Sequence, residues 1–284
     1  MAIDFRKYIM STGTHWISNS GHDENGVGHY HGGKAGDQTG QEWELKAWYN
    51  RPWTCVLRWP DIAVGLKIAQ LGIAAALNNR IGYDQYQRKT YWTQLEAAGY
   101  DPSKITVACE EDCTAGVTAN CKAVGFLMGI KALQGLPTSV YSGNMKSTFV
   151  KAGFRALTES KYLTSAKNLL PGDILLYEGH HAATNITYGK NVRPSKAPVL
   201  TPISETKPEE PKPSGGAQVI VTGDSVNVRS APGTAHTILR VVHRGDRLPY
   251  QGEDRDVSGT PWHLVEIDNA NGWISGKYSE VTGG

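Results

Sequence analysis

The sequence carries almost no excess charge of either sign. Its 29 Lys and Arg residues are nearly balanced by 27 Asp and Glu residues, which leaves a formal net charge of +2 over 284 residues. It also lacks a basic run with interleaved aromatic residues, the pattern that is typical of chains that bind nucleic-acid phosphates. We therefore expect no nucleic-acid partner.

Long apolar runs are missing as well. No segment approaches the roughly 18 consecutive apolar residues of a membrane-spanning helix, and residues 1–8 lack the apolar core of a signal peptide. The sequence thus predicts no membrane insertion and a protein that is made in a cytosol and stays soluble. Its length fits two domains, or one large and one small domain.

Cysteine is scarce, with only Cys55, Cys109, Cys113 and Cys121. Without a signal peptide, a disulfide framework is not expected. Three of the four cluster, which raises a zinc site as an alternative. Their separations of four and eight residues do not match the close paired spacing of zinc ribbons or fingers. We expect no metal ion and no cofactor.

The segment around Cys113 combines an acidic lead-in with a long run of small and apolar residues. This run predicts a helix from Thr114 to Leu133, so that Cys113 lies at the helix N-terminus. The partial positive charge and unpaired N–H groups of that end stabilise a thiolate and lower the pKa of the cysteine. Such a setting suits a nucleophile; a small buried structural residue is the alternative.

Helices dominate the predicted structure before residue 160. The first 40 residues read as a polar surface loop, and their four histidines raise a metal site as the less favoured alternative. A capping box formed by Thr39 and Glu42 predicts a helix that runs to about Tyr49. Three further helices are predicted by caps, apolar periodicity and stop signals over residues 61–79, 84–98 and 145–152.

Strands follow the helices. A Pro-Gly-Asp turn leads into a strand over 174–177, and a second strand is predicted over 180–188. Helices first and strands later predict an α+β domain over residues 1–189.

The composition changes after that domain. Six prolines lie between Pro194 and Pro213, and this stretch predicts an extended linker over 190–217. Residues 218–284 consist of short strands separated by Gly, Pro and Asp turns, which predicts a small all-β barrel.

This last segment resembles the bacterial SH3 domains of cell-wall enzymes. Residues 227–234, Asn-Val-Arg-Ser-Ala-Pro-Gly-Thr, are similar to the Asn-x-Arg-x-x-Pro-Gly signature of that family. The resemblance implies that the barrel binds cell wall. The candidate contact residues are Tyr250, Trp262, Trp273 and Tyr278, and for each of them a core position is the alternative.

The first domain resembles papain-like cysteine peptidases of the NlpC type, especially those of phage endolysins. Asp112-Cys113-Thr114 is similar to their nucleophile motif, and the segment 171–176 with the His pair that follows is similar to their Gly-Asp-strand-His segment. The resemblance implies a papain-like fold with Cys113 as nucleophile and His181 as base. His181 fits better than His180 because a small residue, Ala183, follows two positions later, and strand alternation would turn His180 to the opposite face.

The resemblance also implies a third, polar residue that orients the histidine, and this position stays unassigned. The usual position falls near Arg193. Asn185 lies about 13 Å along a strand from His181, too far to reach its ring. The N-terminal segment offers Asp37 and Gln38 instead.

Together, the two resemblances imply a peptidoglycan hydrolase, an endolysin made in a host bacterial cytoplasm that acts on the cell wall after release. It would cleave an amide bond in stem peptides. Two alternatives stay open: an N-acetylmuramoyl-L-alanine amidase on the same fold, and a non-catalytic wall-binding protein.

Overall fold

The computed structural model describes residues 3–29, 33–203, 217–267 and 270–282, and the chain divides into two compact units, Met1–Glu209 and Glu210–Gly284. The α-helices described in the first unit are α1 (Phe5–Ile9), α2 (Ile62–Ala76), α3 (Thr90–Ala97), α4 (Cys113–Leu127), α5 (Lys131–Gln134), α6 (Met145–Ala152) and α7 (Ser160–Leu163). Its described strands are β1 (Trp16–Ser20), β2 (Trp43–Ala47), β3 (Cys55–Arg58), β4 (Ile81–Tyr83), β5 (Cys109–Glu111), β6 (Arg155–Leu157), β7 (Ile174–Tyr177) and β8 (His181–Asn185).

Six of these strands form one antiparallel sheet in the order β2-β1-β8-β7-β3-β6, and β4 and β5 form a separate parallel pair. Alternate residues of β7 point to opposite faces of the sheet and pack into different hydrophobic cores. Ile174 and Leu176 pack with α2 and α4, whereas Leu175 packs on the other face with Trp53 and Leu169. The predicted α+β architecture is confirmed.

The helix predicted from the Thr39–Glu42 capping box is wrong. Asp37 Oδ1 accepts the backbone N–H groups of Thr39, Gly40 and Gln41, which closes a tight turn where the helix was expected to begin. Residues 43–47 then pair with β1 as a strand. Tertiary pairing overrides a local capping signal of this kind because the cap contributes only about 1 kcal/mol.

Two other predicted helices are shorter than expected. In the segment 84–98, the Asp84 carboxylate caps a turn through the N–H groups of Tyr86 and Gln87, and α3 begins only at Thr90. The long helix after Cys113 ends at Leu127, and Gly129 adopts a φ of 69° before a short helix resumes. The helix over 145–152 and the strand over 174–177 agree with the structure at both ends.

The Pro171-Gly172-Asp173 turn is built by backbone contact and a buried ion pair. Gly172 has a φ of 82°, and a Cβ there would collide with the backbone of Gly65 in α2. Asp173 is 1% exposed and accepts from Arg58 Nε at 2.7 Å and Nη2 at 2.6 Å. Asp173 therefore ties the turn to strand β3.

Asp173→Asn is expected to destabilise the first unit by about 3 kcal/mol, because a buried guanidinium loses its charge partner. Chemical denaturation followed by circular dichroism measures this change. Glu178→Gln is the matched control, since the Lys146–Glu178 pair is 3.6 Å long with both side chains about 40% exposed; it should change stability by less than about 1 kcal/mol. Equal effects of the two variants would contradict a structural role for Asp173.

The first unit extends beyond residue 189, where the sequence placed the start of an extended linker. Arg193 Nη1 donates to the Met10 carbonyl at 2.8 Å, and Ile203 is 4% exposed in the main core. The buried Lys67 ammonium donates to the Thr201 carbonyl, the Thr201 hydroxyl and the Pro202 carbonyl. Composition alone did not reveal that these carbonyls satisfy a buried lysine. Residues 204–216 of the predicted linker lie outside the described residues.

The second unit is all-β, as predicted. Its described strands are β9 (Gln218–Val221), β10 (Ser225–Arg229), β11 (Ile238–His243), β12 (Arg247–Arg255), β13 (Pro261–Ile267), β14 (Ala270–Ser275) and β15 (Ser279–Thr282). They follow the antiparallel order β11-β10-β14-β13-β12-β9-β15. Strands β12 and β15 were not predicted, because charged residues interrupt the apolar pattern of the first and the second is only four residues long.

Candidate active site

Cys113 is the first residue of α4, and its neighbour Asp112 caps that helix. Asp112 Oδ1 accepts the backbone N–H groups of Thr114 at 2.9 Å and Ala115 at 2.8 Å. Arg88 Nε lies 2.7 Å from Asp112 Oδ2, and Arg88 also donates to the Val140 carbonyl at 2.6 Å. The cap and its arginine fix the start of the helix, and with it the backbone of Cys113.

His181 opens β8 and lies beside Cys113. The thiol of Cys113 accepts the backbone N–H of Ala182, the residue after His181. Both Cys113 and His181 line one cavity of about 470 Å³. The structure thus brings the two predicted residues together from positions 68 residues apart in the sequence.

Asn19 occupies the position that the sequence left unassigned. Its Oδ1 lies 2.9 Å from His181 Nε2, and it also accepts from the Tyr49 hydroxyl at 3.2 Å. Because an amide oxygen only accepts, Nε2 of His181 carries the hydrogen and Nδ1 is left to take up a proton. Strand β1, which carries Asn19, pairs directly with β8.

The candidates that the sequence offered for this third position serve elsewhere. Asp37 and Gln38 bind within their own loop, and Gln38 Nε2 donates to the Ala35 carbonyl at 3.2 Å. Asn185 Oδ1 accepts from His15 Nε2 at 2.6 Å, at the far end of β8. Arg193 binds the Met10 carbonyl.

Sequence reasoning missed Asn19 because residues 16–20 were taken for part of a polar loop. The strand is buried on both sides, yet its sequence, Trp-Ile-Ser-Asn-Ser, shows only two apolar residues. Its polar side chains are satisfied by distant groups, such as the Gly72 carbonyl that accepts from Ser18 Oγ at 2.8 Å. The adjacent apolar pair Trp16-Ile17 was the one local signal of a strand.

One packing contact helps to hold the imidazole of His181 in place. The Trp53 ring stacks on it with centroids 6.0 Å apart and an interplanar angle of 30°. This contact and the hydrogen bond to Asn19 together set the orientation of the ring.

Burial keeps the Cys113 thiol and the His181 imidazole neutral when no substrate is bound. Desolvation, with the neighbouring Asp112 carboxylate as a smaller cause, raises the pKa of Cys113 to about 12. Desolvation, with the charges of Arg51 and Lys46, lowers the pKa of His181 to about 3. The sequence predicted a lowered cysteine pKa, whereas desolvation raises the pKa of Cys113 in the structure. The arrangement suits proton transfer from thiol to imidazole at the moment of attack.

His180 does not turn away from the site, contrary to the strand-alternation argument. It is the last residue of the β7–β8 turn rather than part of β8, and its ring stacks on Tyr177 with centroids 4.2 Å apart. It lines the cavity of Cys113 and also a second cavity of about 420 Å³. The two cavities meet at Cys113, so a groove crosses the thiol.

The remaining cysteines and histidines do not form a metal centre in the described ranges. Cys55, Cys109 and Cys121 are buried, and all four cysteines are free thiols. Within these ranges, no three His, Cys, Asp or Glu side chains lie close enough to share a metal ion. Of the four N-terminal histidines, His31 lies outside the described residues. No described helix has the length and apolar character that a membrane span requires.

The four aromatic candidates of the second unit differ in exposure. Tyr278 is 53% exposed, and Tyr250 and Trp273 are partly buried. Trp262 is 3% exposed and donates from Nε1 to Asp256 at 3.0 Å. This burial contradicts the expectation of an exposed wall contact at Trp262, which is a core residue.

Comparisons with known proteins assign a family to each unit. The endolysin-like domain family matches residues 17–192, and the bacterial SH3 domain family matches residues 224–280. A search of curated proteins returned no match. A solved structure described as "The crystal structure of Ly7917 with the hydrolyzing product of MDP" is 20% identical over 39% of this chain, with a TM-score of 0.19. The matched region spans about half of that solved chain. Because the first family match covers more than half of the sequence, the protein belongs to the endolysin-like domain family, and it carries a bacterial SH3 domain after that domain.

Proposed function

We propose that the first unit is a papain-like cysteine hydrolase that cleaves an amide bond in the stem peptides of peptidoglycan. An endolysin-like domain joined to a bacterial SH3 domain supports a peptidoglycan hydrolase. The observation that carries the cysteine mechanism is one cavity lined by Cys113 and His181, with His181 Nε2 held by Asn19. A nucleophile, a base and a group that orients the base form the minimal set for acyl transfer.

In the proposed reaction, His181 Nδ1 takes the thiol proton as Cys113 Sγ attacks the amide carbonyl carbon. The tetrahedral intermediate collapses, the C–N bond breaks, and the imidazolium gives its proton to the leaving amine. Water then attacks the thioester while His181 takes a proton from it. Release of the carboxylic acid product returns the proton to the thiolate, so that no net proton or electron is consumed.

The helix N-terminus contributes less to oxyanion binding than the sequence suggests. The N–H groups of Thr114 and Ala115 already bind Asp112, so the donor that this helix end offers is the N–H of Cys113. Gln85 lines both cavities at the thiol, but its side-chain amide already donates to the Gly28 carbonyl and the Tyr83 hydroxyl. A preorganised donor such as the N–H of Cys113 stabilises the charge that develops on the carbonyl oxygen.

Endopeptidase and amidase activities use this same chemistry and differ in which amide enters the groove. Digestion of purified peptidoglycan, followed by mass spectrometry of the new termini, distinguishes the two. A new amino-acid terminus within the stem peptide supports an endopeptidase, and release of intact stem peptides from the glycan supports an amidase. Absence of any new terminus supports a non-catalytic wall-binding protein, an alternative that the presence of Asn19 makes less attractive.

Asn19→Ala is expected to lower kcat by roughly 10- to 100-fold, because it leaves the buried Nε2–H of His181 without an acceptor and frees the ring to rotate. Steady-state kinetics on a soluble wall fragment, with thermal unfolding as the stability control, measures this effect. Asn19→Asp keeps an acceptor oxygen and should recover most of the lost rate. Equal loss in both variants, together with a lowered Tm, would contradict a positioning role.

The SH3 domain is proposed to tether the enzyme to the bacterial cell wall and so raise the local substrate concentration. A chain that ends at residue 209 should bind whole walls more weakly and lyse whole cells more slowly. Its kcat/KM on a soluble wall fragment should change by less than about twofold, since every proposed catalytic residue precedes residue 182. Loss of both activities together would mean that the second unit belongs to the catalytic unit.

Tyr278 is the most exposed of the aromatic candidates for that tether. Pull-down on purified cell walls with Tyr278→Ala, alongside Trp262→Phe as a core control, tests this role.

A further inference from the structure

The cavity at Cys113 is lined by groups that carry or can acquire positive charge. Lys46 and Arg51 contribute side chains from the β2 end, and His22 and His29 contribute from the loop that follows β1. Among the described residues that line this cavity, none is an Asp or a Glu. The described lining of the cavity beside Cys113 therefore carries positive charge without any negative charge to balance it.

Arg51 differs from Arg58 and Arg88 in its partners. Arg58 and Arg88 each hold a carboxylate, those of Asp173 and Asp112. Arg51 Nη1 instead lies 3.3 Å from the neutral Tyr49 hydroxyl, and its guanidinium lies 5.9 Å from the centre of the Tyr177 ring. Within the described ranges, no carboxylate lies within ion-pair distance of Arg51.

Lys46 is held only loosely. Its ammonium lies 2.8 Å from Glu44 Oε1, but both side chains are partly exposed, at 46% and 24%. Ion pairs of this kind contribute little and exchange readily with water. Lys46 can therefore turn towards a ligand in the cavity at small cost.

The positive charges of Arg51 and Lys46 disfavour proton transfer to His181 in the free enzyme. Both act on His181 and disfavour the imidazolium that the reaction must form. An anion bound between them would neutralise their field at the moment when the imidazolium appears. Arg51 and Lys46 hinder His181 in the free enzyme. A substrate that carries the counter-charge would remove this hindrance, which explains why the two positive charges lie beside the base.

We propose that Arg51, assisted by Lys46, binds a free carboxylate of the substrate peptide close to the scissile bond. The inference rests on the proposed function, and it names the substrate class: stem peptides that bear this carboxylate rather than their amidated forms. A guanidinium binds a carboxylate through two parallel N–H···O bonds, whereas a carboxamide offers one acceptor and no charge. Arg51 would therefore be a specificity-determining residue.

The carboxylate has two chemical sources in a stem peptide. One is the free carboxylate on a residue that is linked through its side chain, and the other is the carboxylate at the C-terminus of the peptide. The second cavity does not compete for this group, because its arginine, Arg88, already binds Asp112.

The test uses one soluble wall fragment in three synthetic forms: with both carboxylates free, with only the internal one amidated, and with only the terminal one amidated. We expect the full-length enzyme to lose about tenfold or more in kcat/KM on one amidated form, which identifies the source. Arg51→Gln should lower kcat/KM on the free form without lowering it on that amidated form, so that the preference between the two forms is lost. Arg51→Lys should restore part of the preference.

Matched controls separate this effect from general damage. Arg155→Gln removes an exposed arginine on β6, away from the cavity, and should keep the full preference. Lys46→Gln, at an exposed position, should reduce the preference less than Arg51→Gln does, and it keeps the test valid should Arg51→Gln fold poorly. Equal rates of the full-length enzyme on all three forms, or an equal loss on all three in Arg51→Gln, would overturn the proposal.

Calorimetry that measures how tightly the three fragment forms bind to the Cys113→Ala variant separates this inference from the proposed function. If the free form binds about tenfold tighter than one amidated form and Arg51→Gln removes that difference, carboxylate binding by Arg51 stands. This conclusion holds even if the full-length enzyme cleaves none of the fragments, a result that would overturn the proposed hydrolysis instead. Equal affinities for all forms would overturn the carboxylate site itself.

Discussion

Cys113→Ala is expected to abolish hydrolysis of peptidoglycan, with a loss of roughly 10⁴-fold or more, because no other group can form the thioester. Folding and wall binding should remain. The side chain is partly exposed to the groove, and its removal leaves the Asp112 cap of α4 intact. Release of new amine termini from purified walls measures the loss, and circular dichroism checks the fold.

Two of the other three cysteines provide the controls. Cys121→Ala and Cys109→Ala remove buried thiols that face the core rather than the groove, and both variants should retain most of the activity. Because thiol–imidazole chemistry uses no metal, EDTA should leave the rate unchanged. Strong inhibition by EDTA with recovery on zinc addition, or an inactive Cys121→Ala beside an active Cys113→Ala, would reject the proposed nucleophile.

His181→Ala is expected to lower kcat by roughly 10²- to 10⁴-fold, the usual contribution of a positioned general base. The variant loses the group that takes the thiol proton and returns it to the leaving amine. Steady-state kinetics at fixed pH measures the effect, with thermal unfolding to confirm that the Trp53 packing survives. His181→Gln keeps most of the volume and a donor for Asn19, so its equal loss of rate would assign the effect to proton transfer.

His180→Ala is the matched comparison. Its ring lies exposed against Tyr177 and lines the groove without a bond to Asn19. We expect a rise in KM of a few fold with kcat nearly unchanged, which is the signature of substrate contact rather than proton transfer. An inactive His180→Ala together with an active His181→Ala would exchange the two roles.

Local chemistry allowed much of the site to be predicted from the sequence. A cysteine after a capping aspartate at the head of a small-residue helix, and a histidine after a Gly-Asp turn and an apolar strand, are patterns that nearby residues create. Together with the resemblance to NlpC-type peptidases, these patterns paired Cys113 with His181, and the structure brings the two together in one cavity. The Asp61 cap of α2 and the helix over 145–152 followed from local signals in the same way.

Errors arose where a distant partner decided the local structure. The capping-box pattern at Thr39 lost to the pairing of β2 with β1, because five paired residues and the buried Trp43 outweigh one cap. The start of the linker was placed too early because prolines and charges suggested an exposed segment. The carbonyls of Thr201 and Pro202 instead satisfy Lys67, which is 3% exposed.

By itself, the sequence determined the two-part organisation of the chain, the helix that presents Cys113 and the strand that carries His181. Each of these follows from caps, turns and apolar periodicity over a few neighbouring residues. Only the tertiary structure decided that Asn19 orients His181 and that Arg51 lines the same cavity, where no carboxylate of the described residues pairs with it. The role of Asn19 arises only when sheet pairing brings it to His181, 162 residues away in the chain. Burial at that junction also set the protonation of the pair, because desolvation depends on everything packed around a group and not on its neighbours in sequence.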